Sequence, residues 1–135
     1  MKKLGLQLFT IRDFLKTPED VKNSFAKIVE LGYAEGQTAT SDWYGMTPEA
    51  FRDICRETHL SICGTHYSFD RIYEATDEVM KEHEIVGTTN IGIGGMPNIS
   101  EMTLESVKQF VEKFNEVAHK ISKHGFKLTY HNHHW

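Results

Sequence analysis

Polar and apolar positions alternate from Leu4 to Phe9, with Leu4, Leu6 and Leu8 set against Gly5, Gln7 and Phe9. A period of two predicts a strand. The pattern then changes to the helical period. Thr17-Pro18-Glu19-Asp20 carries a cap, a proline suited to the first helical position and acids suited to the positive end of the dipole. Val21, Phe25, Ile28 and Val29 follow on one face, and Gly32 provides the stop. The same phrase recurs. Tyr33 to Thr38 predicts a second strand, and Thr47-Pro48-Glu49 starts a second helix with Phe51, Ile54 and Cys55 inward. Leu60 to His66 predicts a third strand. Asp70 to about Val86 predicts a third helix with Ile72, Val79 and Met80 inward, and Thr88 to Ile93 a fourth strand that ends in Gly94-Gly95-Met96-Pro97. The fourth helix follows Thr103, with Leu104, Val107, Val111, Phe114, Ala118 and Ile121 spaced by threes and fours. Gly125 ends it, and Lys127 to His133 predicts a fifth strand.

Strand-helix alternation without hairpin signals predicts a parallel sheet, open or closed into a barrel. The 135 residues suggest one domain. Composition changes this picture little, with 39% hydrophobic and 25% charged residues. The formal charge of -4, with no basic run, speaks against nucleic acid and against acidic membranes. The start of the chain lacks a cleavage site and is too short to span a bilayer, so the expected location is cytoplasmic. Cys55 and Cys63 have no metal or redox spacing and are expected to be reduced core thiols.

Ligands of parallel α/β folds meet the carboxyl ends of the strands. Candidates there are Gln37 with Trp43 after the second strand, His66 after the third, and His131-Asn132-His133-His134-Trp135 at the fifth. Thr129, His131 and His133 share one strand face, turned away from the helices in a barrel. Imidazoles two residues apart on one face can approach one divalent transition metal, or can simply be hydrogen-bonded polar residues. Gln37 reads equally as a buried amide, Trp43 as a packing aromatic and His66 as a satisfied structural group. The glycine turn after the fourth strand matches neither a dinucleotide fingerprint nor a P-loop.

Taken together, Leu4-Gly5-Leu6-Gln7-Leu8-Phe9-Thr10, Gly32-Tyr33 leading to Gln37-Thr38-Ala39, Gly64-Thr65-His66 and Tyr130-His131-Asn132-His133 resemble the sugar phosphate isomerase/epimerase proteins. These belong to the xylose isomerase-like TIM (β/α)8 barrel superfamily. The resemblance implies that residues 1–135 are the N-terminal portion of one barrel domain, with about five strands and four helices. It implies a divalent metal (Mn, Co, Zn or Mg) and a small polyol, sugar or sugar-phosphate substrate, isomerised or epimerised through an enediolate. By that likeness His131 is a metal ligand, and Gln37, Trp43, His66 and His133 contact substrate or wall its pocket. The catalytic carboxylates are expected in three further strands, so this chain is expected to be a truncated piece, inactive alone. Five strands would leave an uncovered apolar interior and two open edges, through which copies could assemble. Other readings are a dehydratase or an abasic-site endonuclease on the same barrel, or a non-catalytic half-barrel binding module.

Overall fold

A computed structural model describes residues 3–133; Met1, Lys2, His134 and Trp135 lie outside the described residues. Five short strands, β1 (Gly5–Gln7), β2 (Glu35–Gln37), β3 (Ser61–Gly64), β4 (Asn90–Ile93) and β5 (Lys127–Tyr130), alternate with helices. The helices are α1 (Pro18–Glu30), α2 (Pro48–Thr58), α3 (Phe69–Glu74), α4 (Thr76–Val86) and α5 (Leu104–Ser122). All strand pairs are parallel, in the order β1-β2-β3 and β4-β5. The end of β3 joins the two groups. Thr65 N–H donates to Asn90 O at 3.2 Å, Tyr67 N–H donates to Gly92 O at 2.8 Å, and Tyr67 bridges to Ile93. Among the described residues the five strands form an open run with β1 and β5 at its edges, not a closed barrel.

The helix boundaries follow the local signals. The Thr17 hydroxyl accepts from Asp20 N–H and the Asp20 carboxylate accepts from Thr17 N–H, a reciprocal cap on α1. Thr47 and Thr103 cap α2 and α5. Val21, Phe25, Ile28, Phe51 and Cys55 pack beneath the sheet with Leu8, Ile62, Ile91 and Ile93. Phe25 and Phe51 meet edge to face at 5.9 Å.

Four expectations need correction. The first strand stops at Gln7, because the Gln7 side chain accepts from Phe9 N–H at 3.1 Å and starts a run of 3-10 turns over Leu8–Phe14. The third helix is two helices, broken at Ala75 (φ -127°, ψ 39°). In one straight helix Arg71 and Glu82 would stand roughly 16 Å apart along the axis. The break folds α3 back, and Arg71 Nη2 reaches Glu82 Oε1 at 2.5 Å. The inner face of the sheet is polar rather than apolar. There Gln7 donates to Gln37 Oε1 at 2.9 Å, Cys63 Sγ to Gly36 O at 3.4 Å, Asn90 to Cys63 O at 3.4 Å and Thr129 to Asn90 Oδ1 at 3.0 Å. Of the two cysteines, only Cys55 is a core thiol, its pKa pushed up to about 12 by burial; Cys63 is exposed. Exposed apolar side chains gather instead toward the edges: Leu4, Phe14 and Leu31 near β1 and α1, and Leu104, Val111 and Tyr130 near α5 and β5. No helix among the described residues is long and apolar enough to cross a membrane.

Candidate functional site

The inner face opens at the carboxyl ends of the strands into a cavity of about 590 Å³. Gln7 from β1, His66 after β3, Gly94 and Gly95 after β4, and His131 and His133 after β5 all line it. That residues from both edge strands share one cavity means that the strand run curls around it. Phe9, Thr40, Ser41 and Ser68 complete most of the wall.

The histidines converge. The rings of His66 and His131 lie 4.8 Å apart between centroids, as do those of His131 and His133. His131 is held by its backbone, which donates to Ile93 O at 3.0 Å, and His133 Nε2 lies 3.0 Å from Gly94 O. A carbonyl only accepts, so this nitrogen carries the hydrogen. His66 Nε2 is buried with no hydrogen-bond partner among the described residues. Burial, reinforced by the neighbouring His131 and His133, lowers the His66 pKa below the ordinary 6.5. The ring is therefore neutral at pH 7 and keeps a lone pair for a ligand.

The backbone beneath His66 requires glycine at 92. A Cβ there would lie 2.0 Å from Thr65 O and 3.2 Å from His66 Cδ2. The segment after β3 thus packs tightly along β4, with the His66 ring beside that of His131.

Gln37 does not reach the cavity wall itself but fixes Gln7, which does. Trp43, expected as a wall, faces the other way. It is 2% exposed, packs 5.2 Å from the Phe51 ring, and its indole N–H lies 3.4 Å from Glu82 Oε2. It anchors a tight turn in which Trp43, Tyr44 and Gly45 have φ of 52°, 58° and 76°. The first two are non-glycine residues in the left-handed region, a conformation costing about 1–2 kcal/mol each. Asp42 Oδ1 accepts from Tyr44 N–H at 3.1 Å and from the Thr40 hydroxyl, which places Thr40 and Ser41 on the cavity.

Sequence reasoning missed Glu82 and His83 on α4. His83 is fully buried, and Glu82 accepts from Tyr67, Arg71 and Trp43. A signal existed for His83, which lies four residues past Val79 and so continues the apolar stripe of α4.

The described residues do not gather three His, Cys, Asp or Glu side chains as a cage for a metal ion. What they do bring together is the His66 imidazole, with its unpartnered Nε2, and the rings of His131 and His133 in series at ring-contact distance.

No protein-family model matches the chain, and no curated protein matches it either. Solved structures do. A sugar phosphate isomerase/epimerase from Parabacteroides distasonis superposes with a TM-score of 0.74 at 20% identity, over 98% of this chain and 51% of its own. The chain has the fold of about half a xylose isomerase-like barrel. A family 2 AP endonuclease from Brucella melitensis gives a TM-score of 0.70 at 11% identity, over 96% of this chain and 55% of its own. The IolI protein, solved with a bound zinc atom, gives 0.65 at 13% identity, over 96% and 51%. The half-barrel thus spans about half the length of the structures it matches, and at these identities the likeness is one of fold.

Proposed function

We propose that the half-barrel supplies one side of a divalent-metal-dependent isomerase or epimerase site for a small polyol or sugar. The observation that carries this reading is the meeting of His66 and His131, from non-adjacent strands, at the mouth of a polar cavity. A divalent metal bound there would polarise the substrate oxygens and favour loss of a proton next to a carbonyl. His131 is a ligand to it, with His66 and His133 close enough to contribute or to hydrogen-bond substrate. Gln7, held by Gln37, and Thr40, Ser41 and Ser68 present neutral donors and acceptors suited to hydroxyl groups. Phe9 offers an exposed apolar face to the carbon side of a sugar. The lining of amides, hydroxyls and imidazoles, on a chain of charge -4, suits a neutral polyol better than a nucleic acid backbone.

No described carboxylate lines the cavity, so proton transfer next to the carbonyl is assigned to acids outside this half of the barrel. The 135-residue chain is therefore expected to bind Co(II) or Zn(II) without turning over ketoses. Isothermal titration of each metal into wild type and His131→Ala, alongside a proton NMR assay for deuterium incorporation next to the ketose carbonyl, tests both parts. A roughly 10-fold or greater loss of affinity in His131→Ala is expected. Equal affinity in the variant would remove His131 from the site, and turnover by the isolated chain would overturn the assignment of its acids.

The exposed apolar edges support a second reading at the level of assembly, in which two copies pair through them. Light scattering then gives twice the 15.5 kDa chain mass, and Leu104→Glu with Val111→Lys returns it to one. A monomer at high concentration excludes this pairing.

A further inference from the structure

We propose that Glu82 and His83, consecutive residues of α4, are a positioning pair that sets the imidazole of His66 by holding both of its sequence neighbours. The proposal rests on the reading that His66 belongs to the site. The sequence Thr65-His66-Tyr67 crosses the junction of β3 and β4 with its side chains alternating. Thr65 and Tyr67 turn toward the helices and His66 turns toward the mouth.

Both neighbours are tied to α4. Thr65 Oγ1 and His83 Nε2 are 2.8 Å apart, and His83 Nδ1 lies 2.7 Å from Val79 O. Because that carbonyl only accepts, Nδ1 carries the ring hydrogen and Nε2 must accept from the Thr65 hydroxyl. The tautomer is thus fixed by the turn of helix below it. On the other side, Tyr67 Oη donates to Glu82 Oε2 at 2.8 Å, while Arg71 Nη2 supplies the countercharge at Oε1. Thr65 and His83 are each at most 2% exposed, so their bond is shielded from water, and Tyr67, 2% exposed, brings its hydroxyl to the partly buried Glu82. The same two neighbours are also fixed through their backbone N–H groups, to Asn90 O and Gly92 O.

His66 itself has no such tie, since its Nε2 lacks a partner. Its aim therefore comes from its neighbours, and α4 sets theirs. One pair of adjacent helical residues controls a ring on the opposite face of the sheet.

The test uses the metal-free chain and an NMR cross-peak between the ring protons of His66 and His131, whose centroids are 4.8 Å apart. In Glu82→Ala and in His83→Phe the cross-peak should be lost or strongly weakened while circular dichroism keeps the wild-type fold. Glu82→Gln, whose amide oxygen still accepts from Tyr67, should restore it. Co(II) affinity should fall about 10- to 100-fold in the first two variants and recover in the third. Should Glu82→Ala fail to fold, Tyr67→Phe removes the same bond with little change of volume and carries the same expectation. An undiminished cross-peak in folded Glu82→Ala, His83→Phe or Tyr67→Phe overturns the clamp. The cross-peak needs no metal, so it stays separate from the functional reading, which fails instead if wild type binds no Co(II).

Discussion

At the end of β3 the two faces of the sheet carry polar groups of the same kinds and treat them in opposite ways. On the helix side, the Thr65 hydroxyl, the His83 ring and the Tyr67 phenol are buried and bonded to one another or to α4. On the inner side, one residue away, His66 Nε2 is buried and bonded to nothing among the described residues. Native proteins rarely leave a buried polar atom unpaired, because each one forfeits about 1–3 kcal/mol of hydration. The difference separates scaffold from site. At this junction the Thr65, Tyr67 and His83 groups behind the sheet are consumed in holding its shape, and His66 Nε2 in front remains unbonded among the described residues. Gly92 is where the faces meet, since its missing side chain lets the Thr65 carbonyl cross over β4.

The sharpest way to break this contrast is Gly92→Ala. Its new methyl group would lie 2.0 Å from a backbone oxygen, which no side-chain rotation relieves. Overfilling of this kind costs about 1–3 kcal/mol, and more where backbone must move, as β3 must separate from β4 where Thr65 and Tyr67 pair with it. The expected result is a large fall in the urea midpoint, or failure to fold. Gly95→Ala is the control, because nothing lies within 4 Å of a Cβ there. Equal midpoints for Gly92→Ala and wild type would show that the crossing is not tight.

Much of the helix side could be read from the sequence, and less of the site. The Thr-Pro-Glu starts of α1 and α2, the Thr103 cap of α5 and the glycine stops after α1 and α5 act locally, so these boundaries fall close to where the residues place them. The Leu6, Leu8 and Ile91, Ile93 faces needed only the period of two. The break at Ala75 was not legible, because no breaker residue marks it and the Arg71–Glu82 ion pair that accompanies it joins residues 11 apart in the chain. Trp43 was misread for a related reason. An aromatic residue after a strand can face cavity or core with equal chemistry, and here the left-handed turn at Trp43 and Tyr44 sends the indole to Glu82. The polar inner face was present in the alternation of Gln7, Gln37 and Cys63. It was hidden by the ordinary expectation that barrel interiors are filled by branched apolar residues. The convergence of His66 with His131 followed from strand parity and topology together, which is why two distant histidines could be placed at one mouth.

A smaller effect sharpens the comparison through pH. Burial lowers the His83 pKa to about 4, from an ordinary value of 6.5, against a weaker opposing pull from its bond to Val79 O. In the unfolded chain this ring takes up a proton as pH falls through about 6.5; in the folded protein it resists until about 4. The unfolded state thus binds more protons between those values, so stability decreases as pH is lowered across that window. The shift amounts to about 1–2 kcal/mol lost by pH 5.5 and about 3 kcal/mol once both states are protonated. His66 is also lowered and adds to the same slope with the same sign. Urea midpoints at pH 7.5 and 5.5 stay largely above the titration of ordinary carboxylates. His83→Gln keeps an acceptor for Thr65 but cannot take the proton. It should flatten most of the difference between the two pH values, leaving the part owed to His66. A slope unchanged in His83→Gln would mean that the buried ring is not neutral behind the sheet. The contrast between the bonded groups behind the end of β3 and the unbonded His66 in front would then lose its best-defined member.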